Sequence, residues 1–410
     1  MFSRTLLANF EAVRHDPDRA VRLGTLRAKV EGLYQDAQSS LSASEALKIA
    51  DRALSVIDAM RPDDLGSSEA RLIVLRLGQT YEQLGHLSRA EEMYLQVIEA
   101  SKEANDDSNQ AQALRRLGRV HGKRQEWGTA INELSDALKQ FTDIDDDTGR
   151  IDTINDLGTI AYERGQLGQA HRCYTEVLNA SKEADDQEMI VHAGNNLGII
   201  ASIRGDNYEA AKMFSEVIEA AEARKEWDAL AGAYQNLGMT HASAGSWDDA
   251  NDAYDQAWQI AMDKSLMALI GTISLSRGLA ALEMGRDAAA ASYASKALET
   301  FESQGDQLGA AESYRVFGGI FAARGEWDTA EQFFGHSLSV TDGLENPLGS
   351  AETLRAWAIV YDKAGQAGRA LAKNCEAQTL FAELGAEIER QETVNDIGRL
   401  KAQTADEISF

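Results

Sequence analysis

Arg115, Arg116, Arg119 and Lys123 fall within nine residues, at intervals that place side chains on one face of a helix. The chain around them is acidic, with 40 basic residues against 66 acidic ones and a formal net charge of −26. A cationic face on that background suits carboxylates, because the guanidinium fork holds both carboxylate oxygens at once. The competing reading is a solvated face whose charges pair with acids of neighbouring segments. A second polar set, Asn155, Asn195, Asn196, Asn236 and Asn395, lies in segments of helical pattern, where asparagine is a poor helix former. An amide both donates and accepts. These side chains therefore either tie neighbouring helices together or read an extended peptide backbone.

The chemistry of catalysis is not patterned here. None of the seven histidines stands one helical turn from another beside a carboxylate, as zinc ligands do. His121 and His241 occupy a slot filled elsewhere by Tyr81 and read as packing residues. Cys173 and Cys375 read as core residues without a nucleophile's surroundings. No GxxxxGK phosphate loop occurs, and the acidic run at 143–147 lacks the glycine and spaced glutamate of a calcium loop. No catalytic residue, metal or cofactor is expected. The negative charge disfavours nucleic acid and anionic membranes, and no stretch approaches the twenty apolar residues of a membrane span. The first residues carry an apolar segment broken by Glu11 and Arg14, too short for an export signal. With only two cysteines, this predicts a cytoplasmic protein.

The elements that must position these side chains follow from an internal repeat. A glycine recurs every forty residues at Gly78, Gly118, Gly158, Gly198, Gly238, Gly278, Gly318 and Gly398, with Ala358 in the one gap. A second glycine follows seven residues later in each unit from Gly85 to Gly365, save at Gln125, and twelve residues after the first stands an alanine, from Ala90 to Ala370. Each unit reads as two antiparallel helices, with Val74, Leu77 and Tyr81 at helical spacing in one and Ala90, Tyr94 and Ile98 in the next. Glycine inside a helix costs about 1 kcal/mol relative to alanine, so its recurrence predicts close approach, glycine of one helix against alanine of the other. The second glycine predicts a left-handed turn. Leu87, Trp127, Leu167, Trp247 and Trp327 should start second helices, and clusters such as Asn105-Asp106-Asp107 should cap the helix that follows.

The LG dipeptide, turn glycine, alanine and aromatic residue at these intervals resemble the tetratricopeptide repeat, in the forty-residue form of kinesin light chains and bacterial peptide-sensing regulators. The resemblance implies an all-α, right-handed superhelical solenoid of antiparallel helix pairs whose first helices line a concave face. Eight repeats are expected over 67–386, preceded by capping helices and one degenerate pair in 1–66 and followed by a capping helix and short tail in 387–410. Units 269–308 (Arg277, Asp287) and 349–386 (Ala358, Asn374) depart from the pattern and should pack less tightly. Phe2, Leu6, Phe10 and Val13 share one helical face, either as a cap on the first repeat or as a segment lying in the groove.

Under the same resemblance, residues six, three and two before the helix glycine, and one and five after it, face the groove. This assigns Arg76, Arg115, Arg116, Arg119, Lys123, Asn155, His192, Asn195, Asn196, Gln235, Asn236, Met239, Arg315 and Arg355 to a peptide-binding surface. Ile199, Ile203, Met239, Leu275 and Leu279 would receive apolar side chains, although such a stripe is more often core. The function expected is non-catalytic capture of a protein or peptide partner carrying acidic groups. The alternative is a peptide- or ligand-sensing receptor that acts on a separate effector chain. The sequence leaves oligomeric state open.

Overall fold

The computed structural model describes residues 17–39, 43–384 and 386–408. The apolar face at Phe2, Leu6, Phe10 and Val13 lies outside them. Among the described residues are nineteen α-helices, one 3-10 turn and no strand. They form two compact units, divided between Asp185 and Asp186.

The first unit begins with α1 (Pro17–Ser39), α2 (Ala43–Ile57) and a 3-10 turn (Pro62–Gly66). Three helix pairs follow: α3 (Ser68–Gln83) with α4 (Leu87–Ala104), α5 (Asp107–Lys123) with α6 (Trp127–Asp143), and α7 (Asp147–Glu163) with α8 (Leu167–Ala184). The long helix α1 packs on α3 more extensively than α2 does. Arg19 and Arg22 of α1 both pair with the buried Asp64 of the 3-10 turn.

The second unit has five pairs: α9 (Gln187–Ile203) with α10 (Asn207–Arg224), α11 (Trp227–Ser243) with α12 (Trp247–Asp263), α13 (Met267–Glu283) with α14 (Asp287–Gln304), α15 (Gln307–Ala323) with α16 (Trp327–Gly343), and α17 (Pro347–Lys363) with α18 (Ala367–Leu384). A last helix, α19 (Glu387–Ile408), packs on α18. Leu87, Trp127, Leu167, Trp247 and Trp327 each open a second helix, as expected.

Turn chemistry fixes these boundaries. Left-handed residues recur every twenty positions: Gly85 (φ 75°), Asn105 (53°), Gln125 (62°), Asp145 (55°), and so on to Gly365 (70°). Gln125 thus holds the glycine conformation without being glycine. One residue after the left-handed Asn105, Asp145 and Gly305, an aspartate opens the next helix by accepting the N–H three residues on, as Asp106 does from Asn109, Asp146 from Gly149 and Asp306 from Gly309.

The repeated helix glycine makes a tighter contact than the one expected. A Cβ on Gly78 would lie 2.4 Å from the Tyr94 ring, on Gly198 2.6 Å from Phe214, on Gly238 2.5 Å from Tyr254 and on Gly318 2.8 Å from Phe334. The glycine therefore makes room for a large buried side chain sixteen residues on, and the expected approach to the alanine twelve residues on is seen as well at Gly118, where a Cβ would lie 3.1 Å from the Ala130 carbonyl oxygen. Where the residue sixteen on is Ala294, a Cβ on Gly278 would sit at an ordinary 3.5 Å. Where it is Asn374, the chain itself carries Ala358 in place of glycine. Gly398 meets nothing within 4 Å. Arg277, in the departing unit, stacks on the Tyr293 ring at 4.3 Å and donates to Asp255.

Within each unit the first helices of consecutive pairs touch directly, and no two second helices make contact of comparable extent. Each row of first helices is therefore the inner side of its own unit's curvature.

Candidate functional site

The inner row of the first unit is α3, α5 and α7, and the four cations lie on α5 between its neighbours. Arg115 Nε donates to Asp156 Oδ2 at 2.6 Å, and its Nη1 pairs with Asp152. Arg119 sits between Glu82 (3.5 Å) and Asp156 (3.7 Å). Lys123 Nζ donates to Glu82 Oε1 at 2.8 Å, and the buried Tyr94 hydroxyl donates to Glu82 Oε2 at 3.1 Å. Glu82 is 5% exposed. Burial alone would raise its carboxyl pKa, but Arg119 and Lys123 outweigh burial and hold it below its ordinary value. Burial and then Glu82 push the Tyr94 phenol upward. Arg119 is raised, since Asp156 and Glu82 overcome its burial.

Three of the four cations are thus matched by three carboxylates: Glu82 from α3, and Asp152 and Asp156 from α7. The fourth is Arg116, half-buried, with no hydrogen bond or ion pair among the described residues. Burial, then Arg119 and Arg115, weaken its hold on its proton. The cluster is therefore close to neutral, with one excess positive charge centred on Arg116. Arg76 is held by Glu31 at 3.0 Å and lies over the Tyr34 ring at 4.3 Å. Asn155 is half-buried, and its Oδ1 is buried without a partner.

The second unit brings His192, Asn195 and Asn196 of α9 beside Gln235, Asn236 and Met239 of α11. Asn236 Nδ2 donates to Asn195 Oδ1 at 3.0 Å, joining the two helices. Gln235 Nε2 donates to Ser276 Oγ of α13 at 3.3 Å. Asn196 is half-buried and makes no hydrogen bond among the described residues, while His192 is exposed. Met239 (52%), Leu279 (43%) and Ile203 (46%) are open to solvent, but Leu275 (6%) belongs to the core. Further along, Arg315 pairs with Glu352 at 3.2 Å and Arg355 with Glu392 at 2.7 Å. Arg115–Asp152, Arg315–Glu352 and Arg355–Glu392 share one offset of thirty-seven residues. A rule of stacking, repeated in both units, accounts for these arginines.

Sequence reasoning missed Glu82, Asp156 and Tyr94. The signal available was the offset between neighbouring first helices: a residue three before one glycine meets a residue two before the next, as Arg115 meets Asp156 and Asn195 meets Asn236. Other titratable groups were also misplaced. His121 is buried as expected, yet its Nδ1 lies 2.6 Å from Glu133 Oε2, so it is hydrogen-bonded as well as packed. Cys375 is exposed and Cys173 half-buried, so neither is a core cysteine. Burial and Glu176 raise the Cys173 thiol pKa, the opposite of what activates a nucleophile. Among the described residues no group of three or more His, Cys, Asp or Glu side chains could hold a metal ion, and no helix is long and apolar enough to cross a membrane.

Family models described as tetratricopeptide repeat match residues 73–103, 109–183 and 230–261. These three stretches are tetratricopeptide repeats. The chain's arrays resemble the apo form of the quorum sensor NprR from B. thuringiensis (TM-score 0.62, 14% identity, covering 83% of this chain and 93% of that one). They also resemble aspartyl phosphate phosphatase F from Bacillus subtilis (TM-score 0.61, 13% identity, 87% and 93%). A Rap protein complexed with Competence and Sporulation Factor matches at TM-score 0.56 and 12% identity, over 95% and 99%. At such identities the likeness is one of fold. No curated protein matches the sequence.

Proposed function

We propose that this protein is a non-catalytic, cytoplasmic interaction module that captures an extended peptide or partner segment on its first-helix faces. The observation that carries this reading is Arg116, a half-buried guanidinium on the inner face with no hydrogen bond or ion pair among the described residues. Leaving such a group unmatched is costly, and a ligand carboxylate would supply the missing charge. The ligand then needs one acidic group at Arg116 rather than an acidic run, because Arg115, Arg119 and Lys123 are engaged with Glu82, Asp152 and Asp156. In the second unit, Asn196 offers an unused amide to a peptide backbone, with Met239, Leu279 and Ile203 open to apolar side chains. Two proteins of similar fold support the class of ligand: one is a quorum sensor, and the other is complexed with Competence and Sporulation Factor.

A second reading, a receptor that signals to a separate effector chain, is favoured by one ion pair. Lys363 Nζ of α17 reaches Glu283 of α13 at 3.1 Å, spanning two helix pairs on the inner side of the second unit. Exposed pairs are worth about 0–1 kcal/mol, so a ligand that altered curvature there would break it at little cost.

Titration of matched peptides carrying a free C-terminal carboxylate or a carboxamide tests the first reading. Wild type should prefer the carboxylate, and Arg116→Ala should lose that preference while remaining folded. An unchanged preference in Arg116→Ala would remove the proposed site. For the receptor reading, spin labels on α13 and α17 should move apart when peptide binds, and a fixed distance would refute it.

A further inference from the structure

The turns that join successive pairs change character along the chain. At the second residue of each first helix, thirty after the repeat glycine, stand Ser108, Thr148, Glu188 and Asp228, then Ala268, Leu308 and Leu348. Leu308 and Leu348 are each 44% exposed. At the position four before these, Leu344 (41%) and its equivalent one repeat later, Leu384 (42%), are open as well. Met262 (47%) and Met267 (52%) extend the same edge by one turn. Equivalent positions on neighbouring pairs lie about one helix-packing distance, roughly 10 Å, apart. Leu308, Leu344, Leu348 and Leu384 therefore form a contiguous apolar plate on one edge of the second unit. In the turns before it the helix-start position is polar from Ser108 to Asp228, and the position four before holds Ala104, the half-buried Ile144, Ala184, Arg224, Lys264 and Gln304, so no exposed leucine stands at either place. Exposed apolar patches of this kind mark interaction surfaces.

The rim says what the plate receives. Asp263, Glu302, Asp306, Asp342, Glu345 and Glu383 are all exposed around these turns. The cation among them, Lys264, is laid over the Trp227 ring at 4.1 Å. Two copies of this edge would set six carboxylates against six, so self-association is opposed by charge. An apolar centre with an acidic rim complements a helix whose one face is apolar and whose flanks are basic. We infer that the edge formed by Leu308, Leu344, Leu348 and Leu384 is a second docking site, separate from the inner face, for a cationic amphipathic helix of a partner protein.

Fluorescence anisotropy with a labelled amphipathic model helix of leucine and lysine tests this on the full chain at physiological salt. A lysine–serine peptide of equal charge serves as control. Wild type should bind the leucine–lysine helix at least about tenfold more tightly than the control, because only the former buries apolar surface. Leu308→Ser/Leu344→Ser/Leu348→Ser should abolish that difference, whereas Leu279→Ser on the inner row should leave it within about twofold. Circular dichroism confirms that both variants keep the wild-type helix content. Equal binding of the two peptides by wild type, or loss of the difference in Leu279→Ser instead, would overturn the inference. So would sedimentation velocity showing that wild type self-associates through this edge and the triple variant does not.

Discussion

The strongest test of how these helix pairs are built is to add one methyl group at two equivalent glycines. In Gly198→Ala the new Cβ would fall 2.6, 2.8 and 2.9 Å from three atoms of the Phe214 ring. That ring is 1% exposed and cannot swing aside. Overpacking of this kind costs about 1–3 kcal/mol, against a gain of up to about 1 kcal/mol from replacing a helical glycine. With the full propensity gain, the net expectation is a loss of about 0–2 kcal/mol. In Gly278→Ala the nearest atoms lie at 3.5 and 3.6 Å, which is ordinary contact. Only the propensity gain remains, so this variant should be more stable by about 0.5–1 kcal/mol. Urea unfolding followed by circular dichroism measures both, read as shifts in midpoint because repeat arrays need not unfold in one step. A cycle with Phe214→Ala isolates the cause. Once the ring is gone, Gly198→Ala should turn from destabilising to stabilising, and the coupling should exceed about 1 kcal/mol. If Gly198→Ala is stabilised as much as Gly278→Ala, or if the cycle shows no coupling, the glycines are not there to admit the ring.

The ionic network makes further predictions. Glu82 has a folded pKa below its unfolded one, so its contribution is complete above the ordinary carboxylate range and is lost as pH falls through the folded value. The melting temperature of wild type should therefore drop more between about pH 5 and pH 3 than that of Glu82→Gln, and parallel curves would exclude this role. Arg71 is buried, donates to Asp106 at 2.6 Å and to the Leu65 carbonyl at 2.8 Å. Arg71→Ala should cost about 3–5 kcal/mol in chemical denaturation by leaving Asp106 unmatched, and a loss below about 1 kcal/mol would contradict that. Arg116→Met should leave thermal stability unchanged or raise it, since the guanidinium it removes is half-buried and unpaired, while abolishing preference for a ligand carboxylate; a marked fall in melting temperature would mean that Arg116 has a structural partner after all.

The two levels of structure were legible to different degrees, for a physical reason. Helix pairs are local: the turn residues, caps and apolar spacing that make α5 and α6 lie within forty residues, and each acts on its own neighbours. The glycine was legible as a site of close approach, but its tightest partner was not, because Ala90 and Tyr94 are both one or two turns along the same helix and only side-chain direction separates them. The inner face is harder still. Its contacts join residues thirty-seven or forty-one apart, and composition alone made Arg115, Arg119 and Lys123 resemble a bare basic stripe. Stacking converts that stripe into Arg115–Asp152, Arg115–Asp156 and Lys123–Glu82 pairs. The same offset predicts where pairing fails: forty-one residues before Arg116 stands Leu75, which is apolar and buried, and no carboxylate is in register to meet it. In a stacked array, then, the residues free to recognise something else are found by subtraction. A cation or amide on the inner face is available for a ligand when its register partner can neither accept nor donate, and it is spoken for when that partner can.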